Sequence, residues 1–473
     1  MRDGALPIDA RKVDQAFQVL LRDQFYPFCQ FMDPMFFTRL KPHLGEIASA
    51  LQSVTNGQVK CLMMSLPPRA GKSYTVSLWC AWMIGRGWLK REETSIMRNS
   101  YGQSLAEKFS YDIRAILASP KFQYVFPGIG LKADHARIED WAVAGSKQST
   151  YFCSGVGGAV TGKGCRTAAI LDDPVKNLED ALSELILDKT WSWYLSTHKS
   201  RMESGCPEIH IATRWSKKDP IGRLLESAEG EKYEKLVKPA LTVNGKSFCD
   251  AVKTTQEYLD LRKILDEAIW EAEFMQNPIE AKGLLFPENE LKRFALKELT
   301  EDRISSVIGY TDTADEGTDF LASLSVALSG KEVFLIDVVF TQEPVEITES
   351  LVAQQIIDRA EVKHVVESNS GGKSFARNVK RLIQGKSRCI VSWHPTTTNK
   401  ETRILMSSGQ VKEYFRFRSD YAPGSQYDKF MRQLTAYVKM GRNQHDDAPD
   451  AVTGIAEQVF RPGVRFLNSG GEA

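Results

Sequence analysis

Residues 65–73 read Ser-Leu-Pro-Pro-Arg-Ala-Gly-Lys-Ser. The stretch ends like a phosphate-binding loop, G-x-x-x-x-G-K-[ST], but Leu66 stands where the first glycine belongs. Its context fits such a loop. Val59–Met64 is an apolar run that predicts a strand, and Ser73–Ile84 predicts the helix that follows. A helix N-terminus and loop amides bind phosphate oxygens. Pro67-Pro68 can set the turn that glycine would otherwise supply, because proline fixes φ. Arg69 adds a cation inside the loop. Lys72 would reach the β and γ phosphates and Ser73 would hold Mg²⁺. The bland alternative is a surface turn that contains Gly-Lys-Ser by chance.

A second feature downstream weighs against chance. Thr167–Leu171 predicts a strand, and Asp172-Asp173 end it. Phosphate-loop hydrolases place a metal-binding Asp and a water-orienting acid at such a strand end. Asp172 takes the metal role and Asp173 the base role; Glu179 is the alternative base. A helix cap after a buried strand is the plainer reading. Ile209–Ala212 predicts the next strand, ending at Thr213-Arg214, where a polar group can sense the γ phosphate. Thr161–Arg166, with Lys163 and Arg166, is glycine and cation before the acidic strand, read either as a solvated loop or as one that reaches phosphate across a subunit boundary.

The chain has 473 residues, long for one core, and two or three domains are expected. No stretch approaches the ~20 apolar residues of a membrane helix, and the N-terminus lacks the apolar segment of a signal peptide. Eight cysteines without a C-x-x-C pair suit a reduced setting. With a net charge of +1, nucleic-acid binding would have to use local patches. Residues 12–52 read as helical with turns at Pro27, Pro34 and Pro42. Short apolar strands separated by helices then predict a parallel sheet covered on both faces. Residues 255–277 read as one helix of mixed charge. From 304 the reading becomes β-rich: Ile304–Tyr310, Leu321–Leu328 and Val333–Phe340, with a hairpin at Ser329-Gly330. His364–Val366 and Cys389–Trp393 are further strands, with a helix over Ser374–Ile383 between them.

Three acidic points stand out in this second half. Asp312 follows a strand, Glu367 ends another, and His445-Asp446-Asp447-Ala448-Pro449-Asp450 precedes an apolar helix over Ala451–Phe460. Two-metal nucleases need carboxylates from separate elements to hold two Mg²⁺ or Mn²⁺. Asp447 and Asp450 are three apart and can share one side of a helical turn. Any one acid alone is a cap or a surface charge. Between Gly372 and Arg403 lie eight Lys/Arg against one acid, an excess of seven positive charges that suits phosphate-backbone contacts.

The chain resembles the large terminase subunit of tailed bacteriophages over nearly its whole length. The resemblance rests on PPRAGKS, SYGQSLAEKFSYDIR, TGKGCRTAAILDDPVKN and IATRW in front. Behind, it rests on FMQNPIEAKGLLF, YTDTADEGTDFLA, VVESNSGG, NKETRI and HDDAPDAV. That family's phosphate loop commonly lacks the first glycine. The resemblance implies an α/β chain: an N-terminal RecA-like, additional-strand ATPase domain over 1–245, a linker or subdomain over 246–300, and an RNase H-like nuclease domain over 301–473. It implies ATP with Mg²⁺ at Pro68, Arg69, Ala70, Gly71, Lys72, Ser73 and Tyr74, with Asp172, Asp173 and Thr213 in the acidic-strand and coupling roles. Phe25-Tyr26-Pro27 is the expected adenine contact. Lys163 stands where relatives tend to carry a trans-acting Arg, with Arg166 the next candidate, and Asp173 stands where Glu is frequent. Two Mg²⁺ or Mn²⁺ are expected at Asp312, Glu367 and Asp447, with Asp450 or Asp446 assisting. Further expectations are double-stranded DNA as substrate, a small terminase subunit and a procapsid portal as partners, and a homo-oligomeric ring, a pentamer, when docked. The setting implied is host cytoplasm, without a membrane and outside the mature virion. The rival readings are a translocase that grips DNA without cutting and a scaffold with a nucleotide switch.

Overall fold

The computed structural model describes residues 10–158, 160, 162–279, 283–313, 319–369, 371–396, 398–439 and 443–460. Thr161, residues 280–282, residues 314–318 and Ser370, from stretches quoted above, lie outside them. The chain parts into two units, residues 1–259 with 268–280, and 260–267 with 281–473. The segment 246–300 is therefore shared between the two. Its expected single helix ends at Ile264 and resumes with a short turn at Glu267–Ile269 and a π-helix at Trp270–Phe274.

The first unit opens with helices Ala10–Asp23, Phe25–Met32 and Pro42–Thr55. The first break falls at Gln24, not at Pro27. Pro27 sits in the first turn of its helix, where a missing N–H costs nothing. Eight strands follow: β1 Cys61–Ser65, β2 Ile96–Ser100, β3 Leu131–Arg137, β4 Asp140–Val143, β5 Tyr151–Gly155, β6 Ala168–Asp172, β7 Glu208–Ala212 and β8 Glu234–Val237. They form one sheet in the order β3-β4-β5-β2-β6-β7-β1-β8. From β5 to β8 every pairing is parallel, while β3 and β4 add an antiparallel edge. Strand β7 stands between the phosphate-loop strand β1 and the acidic strand β6, the additional-strand arrangement of RecA-like ATPases. All residues of β2, β5, β6 and β7 are buried, as expected of a sheet covered on both faces. The helix Lys72–Lys90 packs across it with Trp79 and Trp82 in the core, and their indole N–H groups donate to Thr55 Oγ1 and the Leu21 carbonyl.

The second unit is built on β9 Lys292–Phe294, β10 Ser306–Asp312, β11 Leu321–Ser329, β12 Glu332–Thr341, β13 Lys363–Glu367, β14 Ile390–His394 and β15 Phe415–Arg418. Their order is β14-β13-β10-β11-β12-β15-β9. Strands β10, β11 and β12 are an antiparallel meander, and β13 and β14 add in parallel beside β10. This is the RNase H-like order. The hairpin turns through Gly330 at φ +58°, between β11 and β12 as the sequence predicts. Among the described residues no helix is long and apolar enough to cross a membrane.

Candidate functional sites: a phosphate loop and a carboxylate cluster

Strand β1 delivers the chain to Leu66, and the helix Lys72–Lys90 starts a short loop later. Arg69 (φ +64°) and Gly71 (φ +85°) both adopt the left-handed backbone that shapes an anion-binding nest. Gly71 is required twice over. Besides its φ, a Cβ there would meet the Phe36 ring at 2.7 Å. As N-cap it offers no side chain to the first-turn amides, which stay available to an anion. His43 steadies the loop, its Nε2 lying 3.0 Å from the Ala70 carbonyl. Arg69 is exposed and Pro68 half-buried.

Lys72 is buried and its ammonium donates to the carbonyls of Leu66 and Pro67 and to Thr213 Oγ1. Burial lowers its pKa, while Asp173 and Asp172 act in the opposite direction. The Ser73 hydroxyl donates to Asp172 Oδ1 at 2.9 Å. Asp172 is fully buried, and its other oxygen accepts from Arg98 Nε at 3.1 Å and from Nη2. Two hard oxygen donors side by side fit the Mg²⁺ that accompanies nucleotide phosphates.

Asp173 has φ +47°, a position where Asp and Asn are enriched among side-chain-bearing residues. That is a physical reason for a short acid at this position. Its carboxylate accepts from the Thr213 backbone N–H at 3.1 Å. Burial and the neighbouring Asp172 charge push its pKa up to about 6, with Lys72 pulling against them. Glu179 lies apart, on the helix Leu178–Leu182.

The other sequence candidates have partners of their own. Phe25 is wholly buried against Trp82 and cannot meet a ligand. Burying a Phe is worth about 1.5–3 kcal/mol, ample reason for a phenylalanine there. Tyr26 is half-buried, edge-on to Phe37. Tyr74 donates to Asp33 at 3.1 Å. Lys163 pairs with Asp140 at 2.7 Å, and the exposed Arg166 with Glu203 at 3.1 Å.

In the second unit, Asp312 at the end of β10, Glu367 at the end of β13 and Asp450 in the helix Asp447–Phe460 converge. Their nearest oxygens all lie within 4.8 Å of one another. They line a pocket of about 220 Å³. Burial raises the Asp312 pKa well above the usual range, and the Asp450 charge adds to it; Asp450 is raised as well, by burial. Three oxygen donors of one sign, buried Glu367 and Asp450 with half-buried Asp312, form the donor set that divalent cations take. Glu367 is held by the Tyr310 hydroxyl at 2.5 Å and by Asn369 Nδ2 at 3.0 Å. Gly372 lets the next helix approach, because a Cβ would fall 1.8 Å from the Glu367 carbonyl oxygen.

The three late acids separate here. Asp450 joins the cluster. Asp447 lies on the same pocket wall but outside the group of three. It accepts from Gln433 Nε2 at 3.1 Å. Asp446 pairs with Lys400 at 2.8 Å.

No protein-family model and no curated protein matches the sequence. Among solved structures, the large terminase of a thermophilic bacteriophage aligns with 87% of this chain and 98% of its own, at TM-score 0.51 and 10% identity. The chain has the large-terminase fold. The nuclease domain of the human cytomegalovirus terminase, soaked with Mn and inhibitor-bound, aligns with 37% of this chain and 94% of its own, at TM-score 0.31 and 13% identity.

Within this terminase fold the sequence reading missed three cations. Arg98, in β2, clamps Asp172 and also donates to Ser77 Oγ and the Ser73 carbonyl. Lys400 and Arg403 were expected in the DNA-facing basic run. Instead Lys400 lies 3.1 Å from Asp450 and 3.9 Å from Asp312, and Arg403 is buried between Asp450 and Glu367. Lys373, Arg377, Arg381, Lys386 and Arg388 keep solvent contact, and Lys380 does so in the same helix as the first three.

Proposed function

We propose that this chain is a DNA-packaging terminase: an ATPase that drives double-stranded DNA into a procapsid and a metal-dependent endonuclease that cuts the concatemer. The observation that supports it best is the joint presence, on one chain, of the Lys72-Ser73-Asp172 centre on a RecA-like sheet and the Asp312-Glu367-Asp450 cluster on an RNase H-like sheet.

In the ATPase reading, the loop amides and Lys72 hold the β and γ phosphates, and Ser73 with Asp172 holds Mg²⁺. Asp173 accepts the proton of the attacking water, and a pKa near 6 suits a base working close to neutrality. Thr213 touches both Lys72 and Asp173 and is placed to carry the phosphate state into β7. Lys163 or Arg166 of a neighbouring subunit supplies the trans cation in a pentameric ring docked on the portal, with a small subunit delivering the DNA. The setting is the host cytoplasm.

In the nuclease reading, Asp312, Glu367 and Asp450 hold divalent ions, with Asp447 and Asp446 beside them. The ions, when bound, activate water and stabilise the leaving oxygen. The cations of residues 373–388 grip the phosphate backbone.

The test uses the full chain. Wild type with Mn²⁺ or Mg²⁺ should nick plasmid DNA, and Asp312→Ala should not. Lys72→Ala should lose phosphate release and keep cutting. Loss of cutting together with ATPase in a folded Lys72→Ala chain would count against two separate centres.

A further inference from the structure

Beside the carboxylate cluster lies a second pocket of about 470 Å³, within the roughly 300–1,000 Å³ of small-ligand sites. Phe320 and His445 form one side. Phe320 is half-buried and stacks on the buried Phe340, with ring centroids 4.5 Å apart and planes 4° from parallel. His445 stands edge-on to Phe320, and its buried Nδ1 has no hydrogen-bond partner among the described residues. The other side is one face of the helix Gln426–Ala436, which carries Lys429, Arg432, Gln433 and Ala436 into the lining. Lys429 is exposed. Arg432 pairs with Asp428 at 2.8 Å, while Lys429 has no carboxylate partner among the described residues.

This pocket shares its wall with the cutting site. Gln433, in its lining, holds Asp447, which lines the carboxylate pocket. An aromatic platform, an orphan imidazole nitrogen and two cations, adjoining a cluster that would cut a phosphodiester, match the chemistry of a nucleotide whose base has left its stack. Aromatic rings stack any base face, while Lys and Arg take the flanking phosphates.

We propose that this pocket is a nucleobase subsite, which takes one unstacked base of the DNA strand being cut, on Phe320, with its flanking phosphates on Lys429 and Arg432. The proposal rests on the nuclease reading above. It gives the site a means of holding strand position without reading sequence, since a ring face accepts every base.

The experiment measures cleavage of short duplexes by the full chain with Mn²⁺, using substrates that lack a single base at successive positions near the cut. For wild type, one abasic position should raise KM roughly tenfold, the scale of one lost base–aromatic stack, with kcat kept. Phe320→Leu should raise KM similarly on intact DNA and be indifferent to that abasic position, and Phe320→Trp should restore the difference. Lys429→Gln, an exposed change that leaves the packing alone, should raise KM and lower the salt slope of binding by about one. A role of Phe320 confined to packing the wall beside Gln433, which holds Asp447, would lower kcat and leave the abasic response intact, which would overturn the subsite. Equal KM for wild type, Phe320→Leu and Lys429→Gln would overturn it as well, with the nuclease reading untouched. No cutting of any duplex by wild type would remove the nuclease reading and the subsite with it.

Discussion

The Lys72 ammonium lies 3.2 Å from the Thr213 hydroxyl, and the Thr213 backbone N–H lies 3.1 Å from Asp173. One residue at the end of β7 thus touches the phosphate-loop lysine and the acid at the end of β6. Thr213→Val keeps shape and the backbone N–H and removes only the hydroxyl. One hydrogen bond to a charged group is worth about 1.5–3 kcal/mol. Melting should therefore drop by a few degrees at most, while phosphate release in the presence of DNA falls at least tenfold and nucleotide affinity changes little. Unchanged turnover in Thr213→Val would exclude a coupling role for the hydroxyl.

Asp173 sits at φ +47°. A left-handed position costs most side-chain-bearing residues about 1–2 kcal/mol, and Asp and Asn are the usual exceptions. Its raised pKa means that holding the charge is unfavourable at neutral pH. Asp173→Asn should be at least as stable as wild type at pH 7 yet release no phosphate. Asp173→Glu keeps the charge but should fold less stably, by about 1 kcal/mol, and turn over more slowly. Urea titration beside a phosphate-release assay reads both, and faster turnover in Asp173→Glu would refute the backbone explanation.

Arg98 shows where sequence reading stops. The strands ending at Ser65, Asp172 and Ala212 were legible because they are apolar runs closed by turn or acidic residues. Strand β2, Ile-Met-Arg-Asn-Ser, pairs with both β5 and β6 yet carries Arg and Asn in its centre. Nothing local says that an arginine will be buried. Its partners, Asp172 and Ser77, stand 74 and 21 residues away. Arg403 was assigned to a DNA-facing basic run for the same reason, since its partner Asp450 is 47 residues distant. The carboxylate triad was legible in its types and order, because each acid closes a strand or opens a helix. Which of Asp446, Asp447 and Asp450 completes it depends on the rotation of that helix, which no local pattern sets.

Removing the arginine should therefore expose the cost of the acid it covers. Arg98→Met leaves Asp172 buried without its cation, and breaking a buried pair costs about 3–5 kcal/mol. The double variant Arg98→Met, Asp172→Asn should lose distinctly less than the two single losses added. Additive losses in urea denaturation would mean that the two residues are not energetically coupled.

Acid should unfold the first unit through His198. This residue is fully buried in the π-helix Tyr194–His198, with Asn99 Nδ2 3.0 Å from its Nδ1. Burial lowers its pKa to about 3; Glu208 pulls it up, and His210 and Lys199 push it further down. The unfolded chain takes a proton on this histidine below about pH 6.5, whereas the folded chain does not until about 3. Its stabilising effect is complete above pH 6.5 and fades as pH falls, at up to about 1.4 kcal/mol per pH unit. His198→Gln should flatten the stability profile between about pH 6 and 4 by one proton. An identical slope in the variant would place the acid sensitivity elsewhere.

The carboxylate cluster makes a prediction that needs no DNA. Asp312 and Asp450 have raised pKa values because burial, and for Asp312 the charge of Asp450, disfavour ionisation. A divalent cation relieves that cost, so it should bind the folded chain in preference to the unfolded one. Mn²⁺ at about 100 times its Kd would then add about 2.7 kcal/mol of stability. Protons compete for the same oxygens, so the gain should grow as pH rises. Asp312→Asn, Glu367→Gln and Asp450→Asn should each remove most of the Mn²⁺-induced rise in melting temperature and cut DNA roughly 100-fold more slowly, the scale of losing one electrostatic contact to developing charge. Asp446→Asn, half-exposed and held by Lys400, should keep both. If Asp446→Asn loses the Mn²⁺ shift while Asp450→Asn retains it, the metal set includes Asp446 in place of Asp450.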